Sequence, residues 1–200
     1  MPAKSVKPAK SVKAPKPRLH QISEAKMTRP QKALRDSIMS GPRKLTELRG
    51  PFAVWLHAPE MGELAQKLGA FCRLQTRVPP RLSEFAILVT ASLWQAQYEW
   101  FAHAPIAERA GVKPAVIAAL RAGRPPKRLP KDERAVYDFV HELYRTNRVS
   151  DRTYKRLHAL FGDAGMVEFV GILGYYVLVA MSLNVFRMPL PPDEPLPFRE

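Results

Sequence analysis

The chain has 200 residues, 46% of them hydrophobic, with a formal net charge of +14. That is enough for one domain with a proper core and short of two. The charge is uneven: residues 1–50 hold 13 Lys/Arg against 3 Asp/Glu, and residues 51–200 hold 19 against 15. The folded part is therefore only mildly basic, so nucleic acid is not an expected partner beyond weak electrostatics of the tail. Cys72 is the only cysteine, which excludes an internal disulfide, a CxxC pair and a multi-thiolate zinc site.

Residues 1–28 read as a disordered basic tail rich in Lys, Pro and Ala. Lys4-Ser5-Val6-Lys7-Pro8-Ala9 is nearly repeated as Lys10-Ser11-Val12-Lys13-Ala14-Pro15. Frequent proline blocks helix and strand ladders, and the lysines repel one another. The tail has no interleaved aromatic residues, which favours a solubilising extension over an arm for phosphates or acidic surfaces. It also lacks the apolar centre of a signal peptide and the Arg-rich amphipathic pattern of a transit peptide, so a cytoplasmic location is expected.

The domain proper is expected over residues 29–190. Thr28 caps a short helix with Pro30 in its first turn, stopping at Ser40-Gly41. Pro51 to His57 is a compact apolar element. Residues 60–76 place Met61, Leu64, Ala65, Leu68, Phe71 and Cys72 at helical spacings of three and four. A second helix begins near Arg81 after Pro79-Pro80. Another runs through Tyr98 to Pro105, followed by helices at 105–110 and 114–122 closed by Gly111 and Gly123. Residues 131–147 carry Ala135, Val136, Phe139, Val140, Leu143 and Tyr144 on one stripe, and Ser150 or Asp151 caps a helix over 151–161. No stretch alternates long enough to make a strand, so the fold class is all-α.

The segment 169–186 is nearly uncharged over 18 residues, the lower edge of a membrane span. Its Gly171, Gly174, Ser182 and Asn184 favour a buried core helix instead, with no membrane span. Residues 191–200 form a Pro-rich extended tail, part of a strap (188–198) crossing the surface or a neighbouring subunit.

The densest cluster of polar and aromatic groups is Trp94-Gln95-Ala96-Gln97-Tyr98-Glu99-Trp100-Phe101-Ala102-His103. Glu99 and His103 are four residues apart and can pair on one helix face, preparing an acid/base imidazole or merely a surface ion pair. Glu84 lies 15 residues before Glu99, roughly 22 Å away on one straight helix. It can join the same site only if the chain turns in between, and Ser92-Leu93-Trp94-Gln95 is where a break is expected. His57, in the run Val54-Trp55-Leu56-His57, reads as a satisfied half-buried histidine rather than a ligand. Tyr175 and Tyr176 read as core packing, and Cys72 as structural. A metal site is not expected from one carboxylate–histidine pair, because catalytic zinc usually takes three protein ligands.

The spacing of Glu84, Ala96, Tyr98, Glu99 and His103 resembles the signature of the carboxymuconolactone decarboxylase and alkylhydroperoxidase D-like superfamily. The resemblance covers roughly residues 50–190 and includes Gly50-Pro51-Phe52, Pro80-Arg81-Leu82, Gly111 and Gly174-Tyr175-Tyr176 through Asn184. Glu84 and His103 occupy the family's glutamate and second histidine. Ala96 and Glu99 stand where its two redox cysteines would be, and Tyr98 replaces its first histidine. The resemblance implies an alkylhydroperoxidase D-like helical bundle assembled as a homo-oligomer, a trimer or hexamer.

Two branches of that family imply two activities. The peroxidase branch needs the CxxC pair, so peroxide reduction is not expected of this chain. The decarboxylase branch needs no disulfide and retains the histidine, which implies a cofactor-free lyase acting on a small organic acid or lactone. On that reading His103, kept protonated by Glu99, delivers a proton and Tyr98 bonds the lactone oxygen. Trp94, Trp100 and His57 are the candidate pocket lining. The competing reading is a non-enzymatic scaffold that binds a small acid.

Overall fold

A computed structural model describes residues 16–199, and across them every regular element is a helix. After a single 3-10 turn at Glu24–Lys26 come α1 (Arg29–Met39), α2 (Pro51–Trp55), α3 (Pro59–Leu74), α4 (Pro80–Trp94), α5 (Gln97–Arg109), α6 (Pro114–Arg121), α7 (Lys131–Thr146) and α8 (Asp151–Phe186). Five of these helices have proline in their first two positions. There its missing N–H has no intrahelical partner to lose and its fixed φ already suits the helix. Thr28 caps α1 with a reciprocal box: its hydroxyl accepts from the Gln31 amide, and the Gln31 side chain accepts from the Thr28 amide at 2.9 Å. Ser150, not Asp151, caps α8.

The centre of the bundle is α4, whose residues Leu82 to Ala91 are all buried. It packs against α5, α7 and α8, so it is enclosed on all sides and mostly apolar. Phe85, Leu88, Val136, Phe169 and Ile172 are fully enclosed, each contributing about 1.5–3 kcal/mol by leaving water. Arg81 forks onto Asp132 and Glu133, tying the start of α4 to the start of α7.

Residues 169–186 take the place expected of a core helix: Phe169, Ile172, Leu173, Tyr175, Tyr176, Val179, Ala180 and Leu183 are buried. α8 is long and apolar enough to cross a membrane, and half of its most apolar window is buried inside the protein. It is also longer than the sequence suggests. The expected helix at 151–161 and the 169–186 segment run together, with a local break at Gly162 (φ 63°, ψ −178°).

Two expectations need correction. Pro105 does not separate two helices, because α5 carries it internally from Gln97 to Arg109. The stripe expected on α3 does not face the core: Met61, Leu64, Leu68 and Phe71 are exposed. The inner face is the small one, in which Gly62 lies under Leu34 and Trp55, and Gly69 lies under Tyr175. Close approach through glycine turns the bulky residues outward, while Ala65 and Cys72 stay buried.

Contacts with the bundle also extend beyond residues 29 and 190. Arg18 donates from its backbone to Phe186 O, Leu19 packs on the main core, and Ile22 and Met27 pack around Leu34 and Ile38. At the other end Phe198 is buried edge-on to Trp100 at 5.2 Å. Gln97 exchanges two 2.9 Å hydrogen bonds with the Phe198 backbone, so the extended tail is a strap on its own chain. The lysine-rich repeats over residues 4–15 lie outside the described residues.

Candidate active site

The site depends on a turn. Gln95 adopts a left-handed conformation (φ 47°), and the Ala96 amide donates to Ala91 O at 2.9 Å. This ends α4 and lets α5 fold back along it, so the break expected at 92–95 is present. Folding back brings His103 of α5 against Glu84 of α4. Nδ1 of His103 lies 2.7 Å from Oε2 of Glu84, with both side chains buried. An ionised Glu84 only accepts, which assigns the hydrogen to Nδ1 and leaves Nε2 as the nitrogen able to exchange a proton. The imidazole also packs edge-on against Tyr176, with centroids 5.0 Å apart.

Glu99 is not the partner of His103, although the two are four residues apart on the same helix. Glu84 occupies that role, brought against the imidazole by the reversal of α5 along α4. Glu99 is 1% exposed, and neither carboxylate oxygen has a hydrogen-bond partner among the described residues. Burial pushes its pKa well above the ordinary carboxyl value, so the group is held as the neutral acid. It cannot keep His103 protonated by charge.

His103 faces a cavity of about 160 Å³, comparable with an engineered apolar cavity of about 150 Å³ that holds benzene. Its walls come from four elements: Phe52 of α2, Gly69 and Arg73 of α3, Tyr98 and His103 of α5, and Tyr175, Tyr176 and Val179 of α8, with Arg43 and Arg49 from the α1–α2 connection. Tyr98 is half-buried and packs on Gly50, where an added Cβ would lie 2.5 Å from the ring. Gly50 also has φ 58°, so that position suits glycine twice over. Burial raises the pKa values of Tyr98 and Tyr176, and that of Tyr175 to about 12, so all three are neutral hydrogen-bonding groups.

The expected aromatic lining is elsewhere. Trp100 packs under Phe198, and Trp94 borders a separate cavity of about 340 Å³ beside the strap, which shares Tyr98 and Leu183 with the dyad cavity. His57 is half-buried, with Nε2 3.1 Å from His20 O and its ring edge-on to His20, the satisfied histidine that its sequence context suggests. Tyr175 and Tyr176 are core residues as expected, and they also wall the cavity. Arg43 and Arg73 were not visible as site residues, because nothing in their local sequence points inward. Among the described residues no three His, Cys, Asp or Glu side chains gather as a metal site.

One solved structure with a similar backbone is the alkylhydroperoxidase AhpD core of an uncharacterized peroxidase-related protein from Ralstonia eutropha JMP134. The superposition has a TM-score of 0.74 and covers 90% of this chain and 94% of that one, at 18% sequence identity. This chain has the alkylhydroperoxidase D fold. No family model and no curated protein sequence matches it. On this fold the redox chemistry of a thiol pair has no counterpart here, since the only cysteine is Cys72. Cys72 lies outside the dyad cavity, 2% exposed, with its pKa pushed up to about 11 by burial. Such a thiol is a packing residue.

Proposed function

We infer that the chain is a cofactor-free acid/base enzyme, a lyase acting on a small organic acid or lactone by decarboxylation. The observation that carries this reading is the buried Glu84–His103 pair, 2.7 Å apart, at a cavity of small-molecule size. A buried carboxylate that orients an imidazole prepares it to move a proton. In the reaction the C–C bond to the carboxylate breaks, CO2 leaves, and the electron pair stays on carbon. The His103 imidazolium donates Nε2–H to that carbon or to the conjugated oxygen, and solvent restores the proton. Glu84 stabilises the imidazolium, and the neutral Tyr98 hydroxyl is available to a carbonyl or lactone oxygen. Glu99 has no place in this step.

The test is a panel of unsaturated lactone acids and small aromatic acids, followed by CO2 release. His103→Asn should lower turnover by about 10²–10⁴-fold, and Cys72→Ala should leave it unchanged. Unchanged turnover in His103→Asn would sink the assignment. Ligands that bind without being consumed would favour the non-enzymatic binding reading. Peroxide consumption with a dithiol reductant, lost in Cys72→Ala, would favour a peroxidase instead.

The proposal includes a homo-oligomer, a trimer or hexamer, in the cytoplasm. Its support is the outward stripe of α3, with Leu64 73% exposed, together with Val167 and Val170 of α8 at 74% and 50%. Apolar side chains at helical spacing across two neighbouring helices favour a covering surface. Light scattering that gives the mass of one chain would remove this part.

A further inference from the structure

The wall of the dyad cavity opposite in chemistry to Glu84–His103 is cationic, and its central residue is built in rather than loosely placed. Arg43 is half-buried. Nη2 donates to Gln66 O at 2.8 Å and Nη1 to Gln66 Oε1 at 3.3 Å. Gln66 is itself buried and fixed by Ser37 and Glu63. The guanidinium lies over the Phe52 ring at 5.2 Å and beside the Tyr175 hydroxyl. Both groups approach α3 at Gly69, where an added Cβ would lie 2.0 Å from Tyr175 Oη and 2.7 Å from Arg43 Nη2. The glycine is thus a requirement of this packing.

The charge, in contrast, is unanswered. Among the described residues, the ion pair at this wall is Arg49 with Glu47 at 2.6 Å, and neither Arg43 nor Arg73 pairs with a carboxylate. Burial pulls the Arg43 pKa down against the opposing influence of Tyr175 and Tyr176, with Arg73 adding to the lowering, the direction expected of a buried cation without a carboxylate partner. The guanidinium remains charged, and only two of its five N–H donors are taken by Gln66. Leaving a half-buried cation unpaired is unfavourable unless an anion completes it.

We propose that Arg43 and Arg73 form a carboxylate seat in the wall of the dyad cavity, holding the anionic end of a small ligand while its remainder reaches His103. Resting on the reading of this cavity as a small-molecule site, the proposal adds which residues select the ligand. A planar carboxylate suits the guanidinium fork better than a point charge would. The seat also sets an orientation, because a carboxylate held by arginine is stabilised as an anion and so is not the group that decarboxylates. Arg43 and Arg73 are specificity residues on this account, and the dyad does the proton transfer.

The test uses benzoate and its neutral isostere benzamide as probes, with calorimetry on the full chain at low salt. Benzoate should bind at least about tenfold more tightly than benzamide, a difference of about 1.4 kcal/mol. Arg73→Gln, an exposed position, should abolish that preference while leaving the melting temperature unchanged. Arg43→Lys, which keeps the charge and loses the fork, should reduce it. Equal binding of the two probes, no binding of either, or a preference that survives Arg73→Gln together with Arg43→Lys would overturn the proposal. Inorganic phosphate displacing benzoate at equal concentration would overturn the carboxylate assignment. His103→Asn separates this test from that of the lyase reading: it should lower turnover by about 10²–10⁴-fold and keep the preference for benzoate over benzamide, which the seat alone sets.

Discussion

Glu84 on α4 and Glu99 on α5 are both buried carboxylates, and their surroundings could hardly differ more. Glu84 has an imidazole at 2.7 Å at the edge of a cavity. Glu99 lies deeper, with neither oxygen partnered among the described residues and Tyr144, Tyr175 and Tyr176 in the same neighbourhood. The lesson is that burial alone does not make a catalytic carboxylate. A partner that can carry the proton onward, and a space for the reacting molecule, distinguish Glu84. Glu99 instead places an uncharged acid in the enclosed core.

The strongest way to break this contrast is to disturb the closed side of α5. Phe198→Ala should cost about 3 kcal/mol, the low end for a buried phenylalanine, because it removes the ring covering Trp100. Chemical denaturation would measure it. A cost under about 1 kcal/mol would mean that the strap rests on the domain without sealing it.

Next in size is Glu99→Leu, which should stabilise the chain by about 1–3 kcal/mol at neutral pH by removing a buried unsatisfied polar group. The pH dependence sharpens this. Folding raises the Glu99 pKa, so above the ordinary carboxyl value of 4.5 the native chain keeps a proton that the unfolded chain releases. Its stability is therefore intact below about that pH and falls as the pH climbs towards the raised folded value. Melting curves across that window should slope downward for the native sequence and less so for Glu99→Leu. An unchanged slope would show that Glu99 has a partner or is ionised. Glu84→Gln, by comparison, should keep the fold and lose turnover.

The smallest expected effect concerns Cys72. With its pKa at about 11, only about a thousandth of the thiol is ionised at pH 8. Alkylation by iodoacetamide should therefore be slow in the folded chain and fast in denaturant. Rapid labelling of the folded chain would reopen thiol chemistry.

Much of the molecule was legible in one dimension. Most helix starts are set by local chemistry, proline in the first turn or a Thr28 or Ser150 cap, and such signals act within four residues. The all-helical class and the break near Gln95 could be read in the same way, while Glu84 and His103 became candidates through the resemblance of their spacing to a family signature. What could not be read was which carboxylate His103 meets. Helical periodicity offers Glu99, and only the reversal of α5 along α4 offers Glu84. The outward turn of the α3 stripe was equally hidden, because it follows from how closely Tyr175 and Trp55 approach two glycines. The cationic wall needed the whole fold, since Arg43 and Arg73 belong to different segments and meet only as walls of one cavity, with Arg43 held by Gln66 and Phe52. Sequence by itself determined where helices begin and which residue types are available. Tertiary structure decided who faces whom, because contacts across the bundle depend on packing distances that no local spacing encodes.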